Sequence, residues 1–303
     1  INWDRLLGKN TLKYLKNFKY LKIEKIYFHS NKKILTEEKK IKKKLTNNIN
    51  EIVKSKSIKF VDIVTPIDTH SKLALKFLKN KKKVLVEKPL LMSRKDERKI
   101  RKYSKNLTVS YPYLFSKTLA CAKKNIKENK IGKIKFIEIF IQQCGRFNKF
   151  DVNKILLPHA LSIISIFYKI NNIKFKLTNI IKENNKAETS LVHCYDKNKL
   201  IGIINLSLNY VNSIRKKQVN IFCEKGNIYC DLENSQNNFS MFKYERKKIK
   251  NARYEKVKIK KVKILTFDEK NNLNYAIKDF LKKRKNSSNF KLTQIINNLC
   301  TAK

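Results

Sequence analysis

Residues 60–91 carry the pattern that most constrains how this chain can fold. Residues 60–64 form a short, apolar, β-branched run, which is typical of a strand buried on both faces. A Thr-Pro pair ends this strand, and Asp68 or Thr69 can cap a helix whose apolar residues recur at helical spacing. Residues 84–86 form a second buried strand. The pattern therefore predicts two parallel strands joined by one helix, which is a right-handed βαβ unit.

A charged pair follows the second strand. Glu87 and Lys88 come directly after it, and Pro89 restricts the chain beyond them. Open α/β sheets bind ligands at the carboxyl ends of their parallel strands. We therefore expect this pair to belong to a binding or catalytic site. The alternative is a surface lysine before a proline, because lysines occur throughout this chain.

Helix and strand signals alternate over residues 1–110, which predicts an α/β domain with a Rossmann-like, doubly wound parallel sheet. Besides the βαβ unit, helices are expected at residues 6–18, 35–45 and 96–102, and strands at residues 23–28 and 107–109. We predict that this dinucleotide-binding domain spans residues 1–112, with its first strand truncated or divergent.

The pattern changes after Tyr111. Residues 133–143 alternate between apolar and polar side chains, which indicates a half-buried strand of an antiparallel sheet. Strand signals then dominate, so residues 113–303 are predicted to form an α+β domain with an open, mainly antiparallel sheet. Gly226 is assigned to a hairpin turn. The other expected strands are residues 173–181, 189–195, 200–208, 218–223, 227–231 and 257–266, and the expected helices are residues 116–129, 156–168, 273–283 and 292–299.

The formal net charge is +47, since 71 basic residues stand against 24 acidic ones. Such a charge fits a surface that binds nucleic acid or anionic membranes, but it also fits a composition biased along the whole chain. Lysine occurs in every segment, whereas a nucleic-acid site would concentrate basic residues on one face with aromatic residues between them. We therefore expect only weak, non-specific and salt-dependent binding to nucleic acid.

Cysteine and histidine spacing gives no sign of a metal site. None of the six cysteines is spaced as CxxC, and the four histidines form no metal-binding motif, so reduced thiols are expected. Every apolar run is broken before about 18 residues, so no transmembrane helix is predicted. The first residues lack the regions of a signal peptide. These features favour a cytoplasmic protein without a membrane partner.

Residues 65–90, with Glu-Lys-Pro directly after a buried strand, resemble the Gfo/Idh/MocA family of nicotinamide-dependent sugar oxidoreductases. Weaker resemblances follow in the family's order at residues 7–10, 131–134, 157–162, 224–228 and 272–281. Together they extend over nearly the whole chain. The resemblance implies a Rossmann domain that binds NAD or NADP, followed by a domain that holds a sugar against the nicotinamide.

The resemblance implies that Lys88 is catalytic and points at the substrate hydroxyl near the nicotinamide. An ammonium group there stabilises a developing alkoxide. Glu87 is expected to contact the ribose beside the nicotinamide, or else to pair with Lys88 or a neighbour. Thr65 and Pro66 are expected to line the nicotinamide pocket. Gly8 resembles the end of the glycine turn that holds the dinucleotide.

Three other residues have both a functional and a structural interpretation. His70 either contacts the cofactor or is a half-buried cap of its helix. Tyr111 either lies near the nicotinamide and substrate or is a core aromatic residue. His159 is either a satisfied core histidine or, as the resemblance implies, faces the catalytic lysine as general base or substrate orienter. A neutral imidazole suits proton removal from a hydroxyl group.

The chain also departs from the family pattern. The glycine fingerprint requires glycine where this chain has Trp3 and Arg5, and residues 28–31 replace the acid that grips the ribose. On the helix of the histidine, Ile155 and Ala160 stand where the family has acidic residues. These departures favour an alternative, a family pseudoenzyme or binding protein with a degenerate cofactor site.

We therefore expect NAD(P)-dependent hydride transfer between a nicotinamide cofactor and a hydroxyl or carbonyl group of a sugar or nucleotide-sugar. The expected partners are a small-molecule substrate and further copies of this chain, joined through the open C-terminal sheet. The pseudoenzyme is the main alternative, and a polyanion-binding protein on the same scaffold is the other.

Overall fold

The computed structural model describes residues 22–27, 43–144, 151–211, 215–248, 255–282 and 289–301. The chain divides into two compact units, one comprising Ile1–Tyr111 and Leu273–Lys303, the other Pro112–Asn272. Several sequence predictions lie outside the described residues: Gly8, Trp3, Arg5, the helix at residues 6–18, and most of the helix at residues 35–45.

The first unit is built from short parallel strands and connecting helices. In chain order these are β1 (Ile26–Tyr27), β2 (Leu45–Thr46), α1 (Ile49–Lys54), β3 (Phe60–Ile63), α2 (His70–Lys79), β4 (Lys83–Glu87), α3 (Arg94–Arg101) and β5 (Leu107–Ser110). β1 pairs in parallel with β2, while β3, β4 and β5 form a separate parallel sheet in that order. The predicted βαβ unit is therefore confirmed, with α2 as its crossover helix.

β4 lies between β3 and β5, which explains its apolar sequence. Val84, Leu85 and Val86 are almost fully buried, because β4 is paired on both edges and covered by other elements. The face of α2 that carries Ala74 and Phe77 is buried, and α2 packs on β4. The strand ends at Glu87, so the charged pair lies at the carboxyl edge of the sheet, as predicted.

The second unit is an α+β domain around one large sheet. Its helices are α4 (Lys117–Lys127), α5 (Val152–Ile155) and α6 (Leu157–Phe167). Its strands are β6 (Ile134–Gln142), β7 (Ile173–Glu183), β8 (Lys186–Asp196), β9 (Lys199–Ser207), β10 (Lys216–Cys223), β11 (Gly226–Asp231), β12 (Phe239–Lys248) and β13 (Glu255–Leu265). The strand order is β13-β12-β11-β10-β6-β9-β8-β7, and of these neighbours β6 and β9 are parallel while the others are antiparallel. The predicted open, mainly antiparallel sheet is confirmed.

The alternation in β6 follows from its two different faces. Ile137, Ile139 and Ile141 are buried on the face that the helices cover, where α6 contacts β6 and α4 contacts β11. Phe136 and Phe140 point to the opposite face and stay half-exposed. The half-buried strand expected over residues 133–143 is therefore confirmed.

β12 is a strand that the sequence did not predict. Its second half is strongly charged, and no apolar residue of the strand follows Tyr244, so the apolar alternation is short. It is a strand because its backbone pairs with β11 on one side and β13 on the other. Backbone pairing does not require apolar side chains, so this strand has a weak sequence signal.

The closing helices α7 (Asn272–Lys282) and α8 (Phe290–Thr301) return the chain to the first unit. Ile277 and Phe280 of α7 pack on Leu85 of β4. The side-chain amide of Asn297 accepts from Met92 N at 2.7 Å and donates to Met92 O at 3.1 Å. The sequence pattern predicts one domain over residues 113–303, whereas in the structure Leu273–Lys303 group with the first unit.

The described residues include neither a membrane-spanning helix nor a group of side chains suited to a metal ion. No helix there combines the length and apolar character needed to cross a membrane. The same residues contain no group of three or more His, Cys, Asp or Glu side chains that could hold a metal ion. All six cysteines lie in the described residues, and each carries a thiol.

Candidate functional site

The turn after β3 is held together by its own hydroxyl groups. The Thr69 hydroxyl donates to Pro66 O at 2.7 Å, and the hydroxyl oxygens of Thr65 and Thr69 lie 2.6 Å apart. Because Thr69 uses its hydroxyl hydrogen for Pro66, the Thr65 hydroxyl donates within that pair. Thr65 and Pro66, both predicted to line the cofactor pocket, therefore occupy an ordered turn at the carboxyl end of the strand.

His70 is the first residue of α2, and its side chain is only 1% exposed. Its Nδ1 lies 2.9 Å from Pro89 O, and its Nε2 lies 2.8 Å from Thr65 O. The ring therefore joins the turn after β3 to the turn after β4. Both nitrogens, through which a histidine could hydrogen-bond a cofactor, face backbone oxygens instead.

Glu87 and Lys88 adjoin at the carboxyl end of β4, and both are half-buried. The peptide bond between Lys88 and Pro89 is cis. Burial raises the pKa of Glu87, while the charge of Lys88 acts in the opposite direction. The two charges therefore interact, which is one of the two interpretations that the sequence allowed for Glu87.

Tyr111 follows β5 and is 1% exposed. Its hydroxyl donates to Thr293 Oγ1 of α8 at 3.1 Å, and burial raises its pKa. The side chain therefore ties the end of β5 to the closing helix. This is the environment of a core aromatic residue, the structural interpretation of the two considered from the sequence.

His159 lies in the second unit, near the start of α6, and is half-buried. Its ring meets the ring of Tyr113 edge-on, with centroids 5.2 Å apart and an interplanar angle of 75°. Tyr113 is buried, which raises the pKa of its hydroxyl. Tyr113 is not among the site residues that the sequence predicts, and the one signal for it is its position two residues after Tyr111.

Lys217 of β10 connects Tyr113 to a carboxylate. Its Nζ donates to the two carboxylate oxygens of Glu233 at 2.7 and 3.2 Å, and it also hydrogen-bonds the Tyr113 hydroxyl. Burial alone would lower the pKa of Lys217, but Tyr113 and Glu233 outweigh burial and raise it. His159 is thus backed by an ordered group of polar side chains. No local motif predicts this group, because its members are far apart in the sequence.

The two positions where the resemblance implies acids are part of the core. Ile155 ends α5 and Ala160 lies within α6, and both are buried. The nearby Asp151 has a structural role: its Oδ1 accepts from Asn153 N at 2.8 Å and its Oδ2 from Ala187 N at 2.9 Å. These bonds cap α5 and tie it to β8, so the carboxylate of Asp151 is already engaged.

A cavity of about 340 Å³ lies in the first unit at the amino end of β3. Its lining includes Tyr27, Phe60, Asp62 and Phe280. Thr65 follows the opposite, carboxyl end of the same strand. The cavity is therefore separate from the edge at which open α/β sheets bind ligands.

Asp62, which lines this cavity, is expected to make stability depend on pH. Burial raises its pKa to about 7, and the charge of Glu87 acts in the same direction. A carboxyl group whose pKa is higher in the folded than in the unfolded state binds its proton more tightly when folded. We therefore expect the free energy of unfolding to fall by about 2 kcal/mol as the pH rises from about 5 to about 8.

Urea unfolding across that pH interval measures this dependence. Asp62→Asn should make this dependence shallower, because the amide does not titrate, while the raised pKa of Glu87 keeps part of it in place. The exposed Asp68 provides the control, since Asp68→Asn should leave the pH dependence unchanged. An unchanged slope in Asp62→Asn would contradict the assignment to this carboxyl group.

Solved structures share this fold over most of the chain. UDP-N-acetylglucosamine 3-dehydrogenase GnnA from Acidithiobacillus ferrooxidans matches with a TM-score of 0.73 and 14% identity, covering 98% of this chain and 94% of that one. Levoglucosan dehydrogenase in complex with NADH and levoglucosan has a TM-score of 0.66 and 15% identity, and the match covers 84% of this chain and 80% of that one. A myo-inositol dehydrogenase from Corynebacterium glutamicum has a TM-score of 0.64 and 17% identity, and the match covers 86% of this chain and 80% of that one. At such identities the likeness establishes the fold alone.

A family match adds information about the first unit. No curated protein matches the sequence at a significant level. Residues 5–111, however, match the GFO_IDH_MocA family model, which describes an oxidoreductase family with an NAD-binding Rossmann fold. The expected resemblance to this family, with its NAD-binding Rossmann fold, is therefore confirmed over residues 5–111.

Proposed function

We propose that this chain is an NAD(P)-dependent oxidoreductase that transfers hydride between the nicotinamide and a hydroxyl or carbonyl group of a sugar or nucleotide-sugar. The observation that carries the proposal is the placement of Lys88. Lys88 directly follows the last residue of β4, so it lies at the carboxyl edge of the parallel sheet, and the next residue is a cis proline. Open α/β sheets bind their ligands at this edge.

The described residues at that edge fit the nicotinamide end of a dinucleotide. The turns after β3 and β4 are joined through His70, so Thr65, Pro66 and Lys88 lie on one connected edge. Glu87 would accept a hydrogen bond from the ribose. When bound, the nicotinamide supplies or accepts the hydride, and the surrounding side chains orient it.

Lys88 would hold and polarise the reacting oxygen. Its positive charge stabilises the negative charge that develops on a hydroxyl oxygen as hydride leaves the adjacent carbon. The neighbouring Glu87 offsets part of the cost of keeping an ammonium group half-buried. Lys88 would therefore favour the transition state over the neutral alcohol, which is the requirement for raising kcat.

Proton transfer is assigned to His159 of the second unit. Imidazole accepts and returns protons near neutral pH, as alcohol oxidation and carbonyl reduction require. The edge-on contact with Tyr113, which Lys217 and Glu233 hold in turn, limits movement of the His159 ring. Preorganisation of this kind supports a catalytic role.

The proposed substrate class comes from the similar structures. Their names specify UDP-N-acetylglucosamine, levoglucosan and myo-inositol, all of which carry several ring hydroxyl groups. A ring with neighbouring hydroxyl groups offers one oxygen to the ammonium group and others for orientation. We therefore propose a sugar or sugar derivative and use these compounds as the first probes.

Cofactor titration tests the proposal. The full chain should bind NADH or NADPH in calorimetry, with an affinity that changes less than about tenfold between about 0.15 and about 0.5 M salt. Inorganic pyrophosphate is the matched control, because a net charge of +47 attracts any polyanion. If the dinucleotide binds no better than pyrophosphate and both are released by salt, the oxidoreductase proposal fails and a polyanion-binding protein is favoured.

Turnover separates an enzyme from a pseudoenzyme. Each probe sugar is incubated with NAD(P)⁺, and the reduced cofactor is followed by its absorbance. Reduction of the cofactor with any probe supports the proposal. Specific dinucleotide binding without turnover on a broad sugar panel would instead favour the binding protein with a degenerate site, for which Ile155 and Ala160 are the structural argument.

We also propose that the open sheet face of the second unit joins copies of this chain. Phe136 and Phe222 are half-exposed on that face with ring centroids 6.4 Å apart, and Lys216 Nζ lies 4.3 Å from the Phe140 ring centre. An aromatic face of this kind suits a self-complementary interface.

Phe136→Glu is expected to shift the protein from oligomer to monomer, because it places a charge in the middle of this face. Light scattering coupled to size-exclusion chromatography measures the mass. Phe136→Leu keeps an apolar side chain and should preserve the oligomer. A monomeric wild-type protein at about 50 μM, well above the concentrations at which stable oligomers dissociate, would contradict the proposal.

A further inference from the structure

His70 bridges the two turns that the proposed function places beside the nicotinamide. Its buried ring lies 2.9 Å from Pro89 O through Nδ1 and 2.8 Å from Thr65 O through Nε2. We propose that His70 is a positioning residue that sets the separation between the turn after β3 and the Lys88 turn. This inference rests on the proposed function, which assigns one turn to the cofactor and the other to the reacting oxygen.

The chemistry of the two contacts supports a bridge. Carbonyl oxygens accept hydrogen bonds and cannot donate them, so each contact is favourable when the facing ring nitrogen carries hydrogen. A neutral imidazole donates only one of these bonds, whereas the imidazolium form carries hydrogen on both nitrogens; in that form the rigid ring donates to both oxygens and holds them in one relative position. A flexible side chain of similar polarity would not impose that separation.

The bridge joins segments that are already ordered. On one side, the Thr65 hydroxyl donates to Thr69, whose hydroxyl donates to Pro66 O. On the other side, β4 pairs with β5 as far as Glu87, and Asn297 holds the backbone of Met92. Lys88 lies between the last paired residue and the Pro89 oxygen that His70 contacts. The His70 ring can therefore fix the position of one turn relative to the other.

Three substitutions separate the two hydrogen bonds. The amide nitrogen of asparagine takes about the place of Nδ1, so His70→Asn keeps a donor for Pro89 O and loses the one for Thr65 O. The amide nitrogen of glutamine takes about the place of Nε2, so His70→Gln keeps the Thr65 contact and loses the Pro89 contact. His70→Phe keeps the ring shape and loses both.

Hydrogen exchange measured by mass spectrometry reports on each turn separately. We expect His70→Gln to speed exchange in residues 88–92, His70→Asn in residues 65–69, and His70→Phe in both. NADH should bind about tenfold more weakly to the Asn and Phe variants, and within about threefold of wild type to the Gln variant. With a probe sugar that is turned over, the Gln variant should lose kcat with little change in KM for NADH.

Phe77→Leu is the matched control, because it changes another buried side chain of α2 away from both turns. A general structural role predicts the same changes in every variant, scaled to the fall in melting temperature, and that pattern would overturn the proposal. Unchanged exchange of both turns in His70→Phe would also overturn it. If the wild-type chain fails to bind NADH, the proposed function fails, while the exchange data still decide whether His70 joins the turns.

Discussion

Lys88→Met is expected to lower kcat by about 10³-fold while the dissociation constant of NADH stays within about threefold of wild type. Methionine keeps the length and apolar stem of lysine but carries no charge to stabilise a developing alkoxide. The cofactor contacts proposed for Thr65 and Pro66 remain, so binding and chemistry should separate. Steady-state rates with a probe sugar and calorimetry with NADH measure the two effects.

Lys83→Met is the matched control for this result. Lys83 lies at the opposite end of β4, with its Nζ 5.7 Å from the Phe60 ring centre, and the substitution should leave kcat within about twofold of wild type. Equal losses in the two variants would show that a methionine in this strand disturbs the fold, and the case for Lys88 would be lost. A Lys88→Met variant with normal kcat would have the same consequence.

Gly226→Ala is expected to destabilise the second unit by about 4 kcal/mol. A Cβ atom at this position would lie 2.1 Å from Phe242 O, which belongs to the backbone of the neighbouring strand. Relief requires β11 and β12 to move apart, which disrupts the pairing of Gly226 with Lys243. Chemical denaturation followed by circular dichroism measures the loss.

Lys225→Ala provides the comparison, because Lys225 is the exposed turn residue directly before the glycine. Its backbone carbonyl accepts from Tyr244 N at 3.1 Å, and alanine keeps that bond. We expect a change below about 0.5 kcal/mol. A similarly small change in Gly226→Ala would show that the sheet opens at little cost.

Local patterns predicted the parts of the fold that short-range physics controls. The βαβ unit was predicted because buried strands are apolar and helices repeat their apolar residues every three to four positions. The alternation of β6 revealed a sheet with one covered face for the same reason. The placement of Lys88 at the carboxyl edge followed from strand direction, which the crossover connection sets.

Other features depend on residues that are far apart along the chain. β12 has only a weak apolar pattern, and it is a strand because its backbone pairs with two neighbouring strands. No sequence pattern in the closing helices shows which unit they join. The packing of Ile277 on Leu85 and the hydrogen bonds between Asn297 and Met92 place them with the first unit. Tyr113, Lys217 and Glu233 likewise come together only after folding.

The sequence by itself determined the βαβ unit, the position of the charged pair and the resemblance of residues 65–90 to a known family. Each of these features depends on residues that are close together along the chain, so a short sequence pattern predicts it. Only the tertiary structure decided that His70 spans two turns and that Gly226 is required by the approach of Phe242. Both depend on backbone oxygens supplied by residues at least five positions away, and a local pattern cannot reveal where such oxygens lie.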